Sequence, residues 1–156
     1  MIRVQRDIFD VGKEIDGLTR GRTDIGAIVS FIGLVRDFND GAEVTGLSLE
    51  HYPGMTEKEL EKIEKEARER WELQESLIIH RHGDMSLGEP IVLVITASPH
   101  RKDAFEAAHF LMDWLKTKAP FWKREMNADG QENWVKEREG DLMAANRWSS
   151  KTNERS

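Results

Sequence analysis

Six lysines and arginines lie between Ser98 and Arg124 against three acids, in a chain whose formal net charge is -6. The stretch opens with Ser98-Pro99-His100-Arg101 and closes with Lys116-Thr-Lys-Ala-Pro-Phe-Trp-Lys123-Arg124-Glu125. A basic segment interleaved with His, Phe and Trp inside an acidic protein suits a small anionic ligand better than a polyanion. Behind a Ser-Pro start, His100 and Arg101 are expected in the first turn of a helix. Free N–H groups and the positive end of the dipole there favour phosphate or carboxylate. Lys116 and Lys123 flank Pro120, and a bend at that proline would return Lys123 to the neighbourhood of Lys116. A lysine held beside aromatic rings and other cations loses proton affinity and can act as acid, base or nucleophile. The plainer reading is a helix end whose lysines complement the dipole. Arg36, where an apolar run ends, is a further anion clamp or simply a surface arginine.

The remaining candidates carry weaker chemistry. Glu50-His51-Tyr52-Pro53-Gly54 puts a Glu and a His at an expected strand end, and none of the usual zinc spacings occurs around them. His80 and His82 fall on one face of an apolar strand and read as structural or interfacial, with metal ligation as the alternative. His109 reads as packing, while Phe110 and Trp114 widen a helix's apolar surface and hint at a subunit contact. No phosphate-binding loop, dinucleotide fingerprint or hydrolase triad order is present. Cysteine is absent, which removes disulfides, thiolate metal sites and cysteine nucleophiles. Any sulfur chemistry would have to use sulfur brought by a partner.

These residues need elements to hold them. Ile8, Val11, Ile15 and Leu18 recur at helical spacing, predicting a helix over 7–19 with Gly21 beyond it. Residues 25–35 read as a buried strand, 37–41 as a polar turn, and 43–52 as a second strand paired with the first. Pro53-Gly54 turns the chain, and Thr56 to Glu59 form a capping box for a helix reaching about Trp71. Its core stripe is Leu60, Ile63, Ala67 and Trp71, with Glu61–Lys65, Glu64–Arg68 and Glu66–Arg70 paired four apart. Residues 75–82 and 90–97 read as strands joined by a hairpin-like loop over 83–89. Ser98 is expected to cap the next helix with Pro99 at its first position, and Pro120 to end it near Lys118. Residues 121–126 and 133–136 read as short strands joined by a turn at Ala128-Asp129-Gly130. Hairpin-like connections outnumber crossovers, which favours α+β.

A chain of 156 residues, 38% hydrophobic and 33% charged, fits one soluble globular domain over 1–148, with a polar tail over 149–156. No apolar run approaches the ~20 residues needed to cross a bilayer. The N-terminus lacks an export signal, so the cytoplasm is the expected location and no membrane role is expected. A pI near 5.4 argues against a nucleic-acid partner.

At the same residues the chain resembles the large, catalytic subunit of molybdopterin synthase. The matching blocks are Gly33-Leu-Val-Arg36, Leu49-Glu-His-Tyr-Pro-Gly-Met55, His80-Arg-His-Gly83 with Leu87-Gly88, Ser98-Pro-His-Arg101 with Ala104-Phe-Glu-Ala107, and Lys116 to Glu125. They run in order from about residue 25 to Trp148. The resemblance implies an α/β hammerhead fold, an α+β arrangement. It implies a sulfurtransferase that converts cyclic pyranopterin monophosphate to molybdopterin by adding two dithiolene sulfurs. No permanently bound cofactor or metal is implied. Sulfur would come from the thiocarboxylated C-terminal glycine of a small ubiquitin-like subunit, on a homodimer at the centre of a heterotetramer. Carried over by position, the substrate pocket would comprise Leu34, Val35, Arg36, His100, Arg101, Lys116, Lys123, Arg124 and Glu125. Lys116 and Lys123 would be catalytic, and the anion-binding residues open to supply from a neighbouring protomer. The rival readings are a non-catalytic dock for a ubiquitin-like sulfur carrier and a phosphate-ester hydrolase using Arg36 and His100.

Overall fold

The computed structural model describes residues 1–39, 42–127, 132–134, 146 and 148. The first sheet has the order β1-β5-β7-β2, from β1 (Ile2–Gln5), β5 (Glu75–Arg81), β7 (Pro90–Ser98) and β2 (Ala27–Leu34). β1 runs parallel to β5, and the other pairs are antiparallel. The second sheet is built on β4 (Ala42–His51), flanked by β3 (Phe38–Asn39), β6 (Gly83–Ser86) and β8 (Phe121–Asn127), with β9 (Glu132–Trp134) beyond β8. Three helices complete the described fold: α1 (Val11–Thr19), α2 (Met55–Arg70) and α3 (Arg101–Thr117). The α+β expectation therefore holds.

Strand alternation in β5 and β7 divides the core between two faces. Ile78, Val92 and Val94 face α2 and α3, meeting Leu60, Ile63, Ala67, Trp71, Ala107 and Leu111. Leu77, Ile79, Leu93 and Ile95 face the other way, against Phe9 and α1. The predicted α2 stripe is fully buried, each large member contributing about 2 kcal/mol. Of the expected pairs, Glu66–Arg70 closes at 2.7 Å. Glu64 instead meets the N-terminal amine and the Ser76 hydroxyl, to which Arg68 also donates.

Several expectations change with tertiary context. β2 is an edge strand: Ile28, Phe31, Ile32 and Leu34 are exposed. An apolar run signals burial only if something covers it, and α1, nine residues long, lies over β5 and β7. β4 does not pair with β2 but centres the other sheet. The 83–89 connection contains β6, which pairs with β4. Helix α1 begins at Val11 because Asp10 caps it through the Lys13 N–H at 3.1 Å, leaving Ile8 exposed. The α2 cap is Gly54, at φ +83°, whose N–H donates to Glu57 at 2.6 Å. Thr56 is buried and accepts from the Tyr52 N–H at 3.1 Å.

Helix α3 starts two residues later than expected. Ser98 ends β7, Pro99 precedes the helix and His100 is the N-cap, with no side-chain capping bond. Pro120 does end it, with Lys118 as C-cap. The expected turn at 37–41 begins in β3, with residues 40 and 41 outside the described residues. The turn at 128–130, the end of the strand expected over 133–136 and the tail at 149–156 also lie outside them.

Candidate active site

Lys116 sits in the last turn of α3 and Lys123 lies within β8. Between them the chain closes a tight bend, the Phe121 N–H donating to the Ala119 carbonyl at 2.8 Å. The Thr56 hydroxyl reaches the Pro120 carbonyl at 3.4 Å, fixing the bend to α2. Beyond the bend, β8 pairs antiparallel with β4 so that Phe121 opposes His51, Lys123 opposes Leu49 and Glu125 opposes Leu47. Directly opposed residues share a face, so Phe121, Lys123, Glu125 and His51 all lie on the face that carries Leu47 and Leu49.

That face closes over the end of β5. His80, 7% exposed, lies on the α2/α3 side of the first sheet, opposite Val92. Its ring stacks on Phe121 at 3.7 Å between centroids and 16° between planes. Nδ1 is 2.9 Å from the Arg81 carbonyl. A carbonyl only accepts, so Nδ1 carries the hydrogen and neutral His80 keeps Nε2 as an acceptor. Burial is the main cause that pushes the His80 pKa down to about 3; the fields of Lys123, Lys116 and His51 push the same way, against the Arg81 hydrogen bond. His82, whose ring lies 4.3 Å from that of His51, is also shifted down, first by burial and then by His51 and Arg6, with Glu57 opposing.

Lys116 and Lys123, on either side of the bend, both act electrostatically on this one buried imidazole. Of the expected Leu34, Val35 and Arg36, Val35 packs on the face that carries Lys123. Val35 is buried with Leu47, Leu49 and Met85, and its N–H and carbonyl bond Glu89 and Gly88 at 2.9 and 2.8 Å. Leu34 and Arg36 on either side are exposed. Arg124 departs from the expected grouping. It opposes Ser48 on the other face of the second sheet, 3.6 Å from Glu50. Consecutive strand residues point to opposite sides, so Lys123 and Arg124 cannot both enter one pocket on a single face.

His100 and Arg101 are exposed at the N-terminal end of α3. Fifteen helical steps separate Arg101 from Lys116, roughly 22 Å at 1.5 Å per residue. Within one chain the cationic helix tip and the lysine pair are two sites, not one cavity.

His80 and Phe121 also form part of this region, with no local sequence signal for it. A histidine in an apolar strand gives no sign of its neighbours, which come from β4, α3 and β8. His109 is largely exposed, 3.7 Å from Asp113, with its ring edge-on to Trp148. Phe110 is buried by intramolecular contact, beneath Trp71 and Trp148, and Trp114 is partly buried against the same cluster. Among the described residues no group of three or more His, Cys, Asp or Glu is placed to hold a metal ion, and no helix is long and apolar enough to cross a membrane.

Comparison with known proteins gives this arrangement a family. The model of the MoaE protein family matches residues 4–118. A relative from Mesorhizobium japonicum, named molybdopterin synthase catalytic subunit, is 57% identical over 96% of this chain and 93% of its own. A relative of the same name from Pseudomonas aeruginosa is 56% identical over 94% and 97%. The solved structure of a molybdopterin biosynthesis MoaE protein from Burkholderia ambifaria superposes with a TM-score of 0.80 at 47% identity, covering 96% of this chain and 97% of that one. With more than half its residues shared along almost its full length, and the fold shared as well, this chain belongs to the MoaE protein family.

Proposed function

We propose that this chain is the catalytic subunit of a molybdopterin synthase, transferring sulfur from a thiocarboxylated partner to a phosphorylated pterin. The observation that carries the reading is the Pro120 bend, anchored by Thr56 and by Phe121 on the buried His80 ring, with Lys116 and Lys123 on its two sides and both felt by that ring. Two ammonium groups flanking one bend suit a reaction in which an anionic sulfur donor meets an anionic substrate. The relatives' shared name, catalytic subunit, supports both an enzymatic role and a second kind of subunit.

In this reading the small ubiquitin-like subunit threads its C-terminal glycine toward the lysines. One ammonium neutralises the thiocarboxylate; its sulfur bonds to a side-chain carbon of cyclic pyranopterin monophosphate as the carbon–oxygen bond at that carbon breaks, and the other ammonium gives a proton to the departing oxygen. Water then breaks the acyl carbon–sulfur bond. Its oxygen stays on the glycine as carboxylate, sulfur stays on the pterin, and the water's protons leave to base. Repetition supplies the second dithiolene sulfur. Arg36, exposed next to the buried Val35, is suited to the substrate's phosphate. His100 and Arg101, too distant within one chain, would reach a pocket only from the second protomer of a homodimer.

The test is product formation from cyclic pyranopterin monophosphate and thiocarboxylated small subunit. Lys116→Ala and Lys123→Ala should each abolish product while the fold and the complex with the small subunit persist. Full activity in both variants would remove the lysine pair from the mechanism. Tight complex formation with no sulfurated pterin, even from the parent protein, would leave a docking module.

A further inference from the structure

Lys116 and Lys123 belong to different elements, so the bend between them, together with the pairing of β8 on β4, sets their relative position. That bend is gripped from one side by the Thr56 hydroxyl on the Pro120 carbonyl. From the other side its aromatic residue lies flat on the His80 ring. The ring itself cannot swing. Nδ1 is tied to the Arg81 carbonyl, and the buried Arg81 side chain is fixed by donation to the Arg6 carbonyl at 2.9 Å and the Pro90 carbonyl at 2.8 Å. We propose that His80 is a positioning residue for the lysine pair, acting through the face of Phe121 to hold the bend that keeps Lys116 and Lys123 together.

Residue chemistry explains why an imidazole suits this place. The groups acting on it are Lys123 from β8, Lys116 from α3 and His51 from β4, all potential cations. A charged side chain here would repel them, and an aliphatic one would offer no flat face for Phe121. A neutral imidazole stacks like an aromatic ring and keeps an acceptor nitrogen among donors. Its ionisation stays suppressed at working pH, first by burial. The inference rests on the sulfur-transfer reading for its catalytic consequence but not for its geometry.

Two measurements separate those dependences. The first is intramolecular cross-linking of Lys116 to Lys123 with a short bis-succinimidyl ester, read by peptide mass spectrometry. His80→Ala should lower the cross-link yield at least fivefold, and His80→Phe, which keeps a flat ring, should restore it to within twofold of the parent. The second is steady-state sulfuration. His80→Ala should lower kcat at least tenfold with KM for the pterin within threefold of the parent, and His80→Phe should recover most of kcat. Phe121→Leu approaches the same contact from its other side. It should reproduce both losses, and combining it with His80→Ala should add little further. An unchanged cross-link yield in His80→Ala and Phe121→Leu, or a loss confined to KM, would overturn the positioning role. So would equal impairment of His80→Phe and His80→Ala. A parent protein that makes no product while the cross-link series behaves as expected would sink the sulfur-transfer reading and leave the role of His80 standing.

Discussion

A single buried histidine shows how one residue can tie stability to pH in this protein. His80 is held down to about 3 when folded, chiefly by burial, whereas an unfolded histidine titrates near 6.5. Above that value the ring is neutral in both states and costs nothing. Between the two values the unfolded chain binds a proton that the folded chain refuses, so stability falls as pH drops through this window. The expected effect is on the order of a few kcal/mol by pH 4. His82, also shifted down, acts in the same direction with less weight because it is partly exposed. Urea midpoints measured from pH 7 to 4 should show a shallower decline for His80→Phe than for the parent. Parallel declines would mean that carboxylates alone govern acid unfolding.

At the scale of elements, two close contacts fix where α3 begins and what lies on it. Gly26 donates its N–H to the Ser98 carbonyl at 3.1 Å, and a Cβ placed there would stand 2.0 Å from the Pro99 carbonyl oxygen. Backbone cannot rotate away as a side chain can. Gly26→Ala should therefore cost at least ~2 kcal/mol and displace His100 and Arg101, visible as a lowered thermal midpoint. On the opposite flank, Trp148 is buried against Trp71 and Phe110, and its indole N–H donates to Asp113 at 2.6 Å. Arg70 donates to the Trp148 carbonyl at 3.0 Å and lies over the Phe110 ring. This aromatic cluster pins a residue near the C-terminus between α2 and α3. Trp148→Ala should cost roughly 3–5 kcal/mol, a drop of about 6–20 °C in Tm for a chain this size. A shift of only a degree or two by calorimetry would show that the cluster is peripheral.

For the whole molecule the decisive feature is the edge of the first sheet. Ile28 and Ile32 lie on the face that α1 leaves uncovered, and Phe31 and Leu34 are also exposed along β2. Exposed apolar side chains along a sheet edge are poorly tolerated unless a partner covers them. On the proposed reading, His100 and Arg101 would serve the lysine site from a second copy of the chain, and this edge is the surface suited to receive one. Ile32→Lys should shift the protein toward monomer in light scattering, with the far-UV spectrum retained and sulfuration lost. An unchanged oligomeric state would place any self-contact elsewhere on the surface.

Much of this organisation was legible without coordinates. Helical periodicity marked Leu60, Ile63, Ala67 and Trp71 as a core stripe, because spacing of three and four on an α-helix makes one face whatever that face meets. Pro120 marked the end of α3, since its missing N–H and fixed φ act locally. The residue blocks that point to the family, and the lysines flanking the proline, are likewise properties of the chain itself.

Tertiary structure alone decided the matters that depend on partners distant in sequence. It assigned β4 to a sheet apart from β2, left β2 at an edge, and put Arg124 on the face opposite Lys123. It set the anion-friendly tip of α3 a whole helix away from the lysines and brought His80 beneath Phe121. Local sequence dictates which conformation a segment prefers and which side chains share its faces. Which face is covered, and by what, is settled only when distant segments compete for the same apolar surface.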